Sequence, residues 1–299
     1  RESFRPFAPV VLREEVAGAA TYTGARPPVL ALNFLGPGET APAGFYQFAL
    51  SPENEARSIA ERLVSQGLVR GVALVPAGDW GTRVLAAFTE ALEAAGGQLA
   101  GSATYFPAEN DYSAAITQVL RLDASKARLR RLEQVLGTKF AFQPRRRGDA
   151  QFIFAPGQPQ TARQLRPQLR FHHAGDQPTC PASEASEPHA TANRDIEGLI
   201  SPDMPWVFGV GARTTQVREA LRAAWGEDAA ARSKLFAFGY DAYLLGLALP
   251  AAGTVDIDGL TGRLRFESDR RVRRQLEWAR IVNGQPQLLD AAAPAATRP

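Results

Sequence analysis

Short apolar runs alternate with amphipathic stretches along most of the chain. Strands are predicted over 29–34, 46–50, 71–76, 98–105, 150–155 and 235–239. Within three of them, 29–32, 72–75 and 152–154, each position is apolar. Such runs mark strands covered on both faces, as in a parallel sheet. Between the strands, Ala56, Ile59, Ala60, Leu63 and Val64 recur at helical spacing. Ser51 is a suitable cap for that helix, Pro52 fits its first position, and Glu53 and Glu55 favour the positive end of its dipole. Gly67 ends it. Val84, Leu85, Phe88 and Leu92 form the apolar stripe of the next helix, which stops at Gly96 and Gly97. Further helices are predicted over 112–120, 124–136, 161–169, 214–225 and 241–249. Strand and helix in alternation, joined by short loops, predict an α/β architecture with doubly wound, mostly parallel sheets.

The alternation lapses over 139–148, a basic loop, and over 176–193, a long loop rich in proline and small polar residues. Residues 291–299 read as a disordered Ala/Pro tail. Residues 258–266 read as a turn entering a strand, 267–269 as a second turn, and 271–282 as a returning strand, which together make a terminal hairpin rather than another βα unit. A length of 299 residues suggests two domains. With 45% hydrophobic and 22% charged residues, the chain has the apolar content that a disordered one lacks. No apolar stretch approaches the roughly 18 residues of a membrane span. The balance of 34 basic to 31 acidic residues lacks the dense positive field of a nucleic-acid binder. The single cysteine, Cys180, excludes an intrachain disulfide and a cysteine-based zinc site.

Few residues suggest chemistry. Gly209-Val-Gly211 precedes a helix, as in a dinucleotide loop, but Thr214 stands where that fingerprint needs glycine or alanine. His172, His173, Asp176, Cys180 and His189 lack zinc-like spacing, and neighbouring histidines on a strand face opposite ways. No catalytic set, metal site or cofactor loop is expected. In open α/β sheets ligands bind outside the carboxyl ends of the strands. Asn33, Asp79, Trp80, Tyr105 and Asp111 fall there and are the candidate cleft-lining residues for a small polar ligand. Asp79 and Asp111 also read as helix caps, and Trp80 as a packing residue. Arg145, Arg146 and Arg147, after the basic helix that carries Lys126, Arg128, Arg130 and Arg131, form a candidate partner surface or a solvated face.

Leu30-Ala-Leu-Asn33, Tyr46-Gln-Phe-Ala-Leu-Ser-Pro-Glu-Asn-Glu-Ala56, Asp79-Trp-Gly81 and Asn110-Asp-Tyr-Ser113 resemble type I periplasmic binding proteins. With Leu122-Asp-Ala-Ser125, Arg145-Arg-Arg-Gly-Asp149, Leu169-Arg-Phe-His172, Asp203-Met-Pro-Trp206, Tyr240-Asp-Ala-Tyr243 and Gly259-Leu-Thr-Gly-Arg263, the chain is similar, over about 29–289, to the C-terminal domain of the LppC/LpoA family of penicillin-binding protein activators.

This resemblance implies two lobes, one from 1–104 plus about 203–265, the other from 105–202 plus about 266–290. The first lobe is expected to lack its opening βαβ elements, because the chain opens near Val10–Glu15 where a third unit belongs. That would leave an exposed sheet edge. The family consists of periplasm-facing outer-membrane lipoproteins that stimulate a class A penicillin-binding protein, a peptidoglycan synthase, and are not enzymes. Membrane contact is then expected only through a lipid anchor outside this sequence. The alternative expectation is a receptor of the same fold that closes on an amino acid or muropeptide.

Overall fold

The computed structural model describes residues 28–36, 38–182, 190–226, 234–249 and 255–289. The expected opening near Val10, the histidine at 189 and the tail over 291–299 lie outside them. Contacts divide the chain into two compact units. The first comprises the described residues up to Ser51 with Asp203–Glu277; the second comprises Pro52–Pro202 with the described residues from Trp278 onward.

The second unit is built on strand β3 (Arg70–Pro76). It pairs in parallel with β4 (Gln98–Tyr105) on one side and β5 (Phe152–Phe154) on the other, and β5 pairs in parallel with β6 (Thr179–Cys180). Successive side chains of a strand face opposite ways. Val72 and Leu74, with Ile153, enter one core with Ile116, Leu120, Leu165 and Leu169. Ala73 and Val75, with Phe152 and Phe154, enter the other with Ile59, Leu63, Phe88 and Leu92. Helices α1 (Pro52–Ser65) and α2 (Asp79–Ala94) supply one cover, and α3 (Ser113–Val119) and α5 (Pro159–Phe171) the other. Helix α4 (Leu122–Leu136) lies between α3 and β5 in the chain. Phe88 stacks on Phe154 with ring centroids 3.9 Å apart. Strand β11 (Glu277–Val282) stands between β7 (Ile200–Asp203) and β12 (Gln285–Leu288) in a second sheet.

The expected lobe boundary near residue 104 is therefore not where the structure divides. Strand β3 bonds to β4 before that point and to β5 after it, so 52–104 cannot be separated from 105–154. The boundary expected near 265 moves too, because β9 (Arg263–Phe266) pairs with β10 (Val272–Gln275) in the first unit. That pair is the predicted hairpin. The returning stretch over 271–282 divides at Leu276 into β10 and β11.

In the first unit β1 (Val29–Ala31) pairs in parallel with β2 (Phe45–Gln47), whereas β8 (Asp256–Asp258), β9 and β10 form an antiparallel meander. Among the described residues the four-stranded parallel sheet lies in the second unit, and the first carries the parallel pair β1–β2 beside the meander. Helices α6 (Pro205–Phe208), α7 (Ala212–Trp225) and α8 (Lys234–Ala248) complete the described part of the first. The strand expected over 235–239 is instead the first turn and a half of α8. Helix α8 serves two cores, Ala237 packing with Trp206 and Leu260, and Ala242 and Leu245 with Leu30 and Phe48. A helix buried on two sides is apolar nearly all round, so its period is hidden.

Asp241, fully buried on α8, fastens the loop between β8 and β9. Its carboxylate accepts hydrogen bonds from the backbone N–H of Leu260 (2.8 Å), from that of Thr261 (2.7 Å) and from the Thr261 hydroxyl (2.6 Å). Burial pushes its pKa up, while these donors and Arg213 pull it down. The approach is so close that a Cβ at Gly259 would lie 2.6 Å from a carboxylate oxygen. A buried donor left without a partner costs about 1–3 kcal/mol. Asp241→Ala is therefore expected to lower the unfolding free energy by about 3 kcal/mol, and Asp241→Asn, which keeps one acceptor, by less. Urea denaturation checks both.

Candidate functional site

Asp79 and Trp80 open α2 at the carboxyl end of β3, as the strand-end rule predicts. The cap position belongs to Gly78, and Asp79 is exposed in the first turn, where a negative charge meets the helix dipole. Trp80 packs at the edge of the Phe88 core. A Cβ at Gly81 would collide with the Pro76 carbonyl oxygen, so only glycine lets the helix start directly on the strand end. Asn33 lies in the other unit, its Oδ1 accepting from the backbone N–H of Phe34 at 2.9 Å.

Tyr105 is not free to line a cleft. It is 2% exposed and its hydroxyl donates to the Pro156 carbonyl at 2.9 Å. Burial pushes its pKa well above the usual phenol value. Asp111 accepts from the backbone N–H of Ser113 at 2.9 Å, a turn one residue ahead of the cap position, which belongs to Tyr112. The hydroxyl and N–H of Ser113 hold its carboxyl below the ordinary range.

The loop that carries Asp111 is gripped by one face of α5. Gln164, Gln168 and His172 recur at four-residue spacing, the last at the helix end. Gln164 accepts from the Tyr112 hydroxyl at 2.9 Å and donates to the Asn110 side chain at 2.9 Å. Gln168 accepts from the Tyr112 N–H at 2.7 Å and donates to the Asn110 carbonyl at 2.8 Å. His172 Nε2 meets the Ser113 hydroxyl oxygen at 3.0 Å. A ring nitrogen and a hydroxyl can each donate or accept, and the contact ties the end of α5 to the start of α3. The arrangement holds the loop over 110–113 against α5. Spacing of Gln164, Gln168 and His172 in the sequence was the signal for this clamp.

The arginine block separates into three roles. Arg146 forms a two-pronged ion pair with Asp176 at 2.6 and 2.7 Å and also donates to the His173 carbonyl. Arg147 grips Asp149 at 2.6 and 2.9 Å and donates to the Ala100 carbonyl at 3.0 Å. Two members of the expected partner surface are thus committed to the protein itself, because carboxylates close in space satisfy their planar forks. Arg145 is exposed.

The dinucleotide reading fails at Gly209. A helical turn, α6, rather than a strand precedes the glycines. The Arg218 guanidinium fills the turn, 2.7 Å from where a Gly209 Cβ would sit, and lies over the Trp206 ring at 5.0 Å. Cys180 is buried, its thiol pushed up to about 12 by desolvation. Among the described residues no three His, Cys, Asp or Glu side chains gather as a metal site would need.

Arg147 holds the Asp149 carboxyl well below its ordinary value of 3.8. A carboxyl depressed on folding adds stability above its unfolded pKa and loses that contribution as pH falls through the folded one. The unfolding free energy is expected to drop as pH is lowered from about 4 to about 2, and Asp149→Asn to flatten that limb. Denaturant titrations at a series of pH values measure it.

The chain is similar to proteins of known kind. It is 27% identical over 238 residues to the penicillin-binding protein activator LpoA of Photobacterium profundum, covering 78% of this chain and 38% of that protein. With LpoA of Vibrio cholerae the identity is 28% over 257 residues, 84% of this chain and 42% of that one. The chain thus spans well under half the length of these relatives. The solved LpoA (YraM) C-domain of Haemophilus influenzae, described as a regulator of PBP1A, superposes with a TM-score of 0.68 at 20% identity, over 95% of this chain and 82% of that one. The leucine-binding protein LivK of Thermotoga maritima superposes with a TM-score of 0.56 at 14% identity, over 89% and 73%. These superpositions show a type I periplasmic-binding-protein-like fold. The family model described as "LppC putative lipoprotein" matches residues 14–284, and the chain belongs to that family.

Proposed function

We propose that this chain is the recognition domain of a periplasmic activator of a class A penicillin-binding protein. It works by binding the synthase, not by catalysis, and the longer protein is held at the outer membrane by a lipid anchor. The family match over residues 14–284 carries this reading. The site geometry supports it. Asp111, Tyr105, Arg146, Arg147 and His172 make their hydrogen bonds and ion pairs within the protein, and these fix the loops of a recognition surface. An activator must bind the active state of its target more tightly than the inactive one.

Pull-down of a purified class A synthase, with glycan polymerisation measured in the presence and absence of this chain, tests the proposal. A coupling of about 1 kcal/mol, the low end for such linkage, corresponds to a roughly fivefold rise in rate. Failure to bind or stimulate any class A synthase would overturn it. Calorimetry against amino acids and muropeptides is expected to show no heat; heat at micromolar ligand would favour a receptor instead.

A further inference from the structure

Helix α4 is anchored at its start and open along its length. Leu122 and Ser125 are buried, whereas from Lys126 to Gln143 all residues but Leu129 and Glu133 are exposed. Large apolar side chains stand in this stretch without cover: Leu132 is 48% exposed, Val135 76%, Leu136 56%, Phe140 41% and Phe142 40%. The segment is built, not loose. Gly137 ends the helix with its N–H on the Glu133 carbonyl at 2.9 Å, and the Glu133 side chain accepts from the Phe140 N–H at 3.2 Å. Further on, the Arg145 N–H donates to the Ser125 hydroxyl at 3.2 Å and that of Arg147 to the Leu120 carbonyl at 2.9 Å.

The charge around this apolar patch has one sign. Lys126, Arg128, Arg130, Arg131, Lys139 and Arg145 stand over 126–145 against Glu133 alone. Arg146 and Arg147 have carboxylate partners, but none of these six cations forms an ion pair among the described residues. Cations left unpaired beside exposed leucine, valine and phenylalanine fit a partner that offers carboxylates and apolar side chains together. A second copy of this face would bring cation against cation, which disfavours self-association through it.

We propose that the open side of α4 that carries Arg128, Arg131, Leu132 and Val135 is the docking surface for an acidic, apolar segment of a protein partner. Partner carboxylates pair with Arg128 and Arg131, and partner apolar groups cover Leu132 and Val135, which lie on the same side of the helix at three- and four-residue spacing. The proposal rests on the synthase being the partner, and it moves the contact away from Arg146 and Arg147.

The test uses the whole chain and a purified class A synthase. Two variants, R128E/R131E and L132S/V135S, change exposed side chains, so both are expected to melt as the parent does. Each is expected to weaken synthase binding at least tenfold, and the charge variant also to lose most of the dependence on salt. Binding within twofold of the parent by both variants, while the parent binds, would overturn the docking surface and leave the activator reading intact. If the parent binds no class A synthase, both readings fall. Vesicles containing phosphatidylglycerol and sedimentation of the chain alone complete the set. Loss of vesicle binding or of a self-associated species in the variants, with synthase binding unchanged, would assign the face to a membrane or a second copy and overturn the proposal.

Discussion

The second unit depends on covering one strand from both sides. Strand β3 carries no polar side chain between Gly71 and Pro76, so neither face of it can meet water. Val72 and Leu74 on one face and Ala73 and Val75 on the other each require a layer of helix, and the chain supplies them by winding α1 and α2 to one side and α3 and α5 to the other. Burial of each large side chain contributes about 1.5–3 kcal/mol. The short loops at the strand ends inherit their positions from this layering, which is why Asp79, Tyr105 and Asp111 lie at strand ends or open helices.

Much of this was legible because the apolar period was unambiguous. The two-faced run in β3 and the helical stripe of Ala56, Ile59, Ala60 and Leu63 each have one physical solution. Where the period was hidden, the reading failed. Helix α8 packs on two sides, and its residues 235–239 look like a strand for that reason. The lobe boundary was misplaced because pairing of β3 with β5 joins residues far apart in sequence, and no local pattern reports such a pair.

The site was less legible than the fold. Sequence position placed Tyr105 at a strand end but could not show that Pro156 would take its hydroxyl. A run of three arginines reads as one patch, yet Asp149 and Asp176 claim two of them. What distinguishes a functional charge from a structural one here is whether a carboxylate lies within reach. That is a property of tertiary structure, and it separates Arg145 from its two neighbours.

The chain passes from one unit to the other after Ser51, after Pro202 and after Glu277. The first unit is therefore assembled from two stretches with the bulk of the second between them, and the second closes only when β11 and β12 have been made. During synthesis the first unit cannot finish before β10 is made, nor the second before β11 and β12. Contacts between such distant stretches form slowly. Gln47 at the end of β2 gains its parallel bridge to Arg271 and its bond to the Arg270 carbonyl only after more than two hundred further residues are made, and a contact that waits so long leaves a nascent chain open to misassembly.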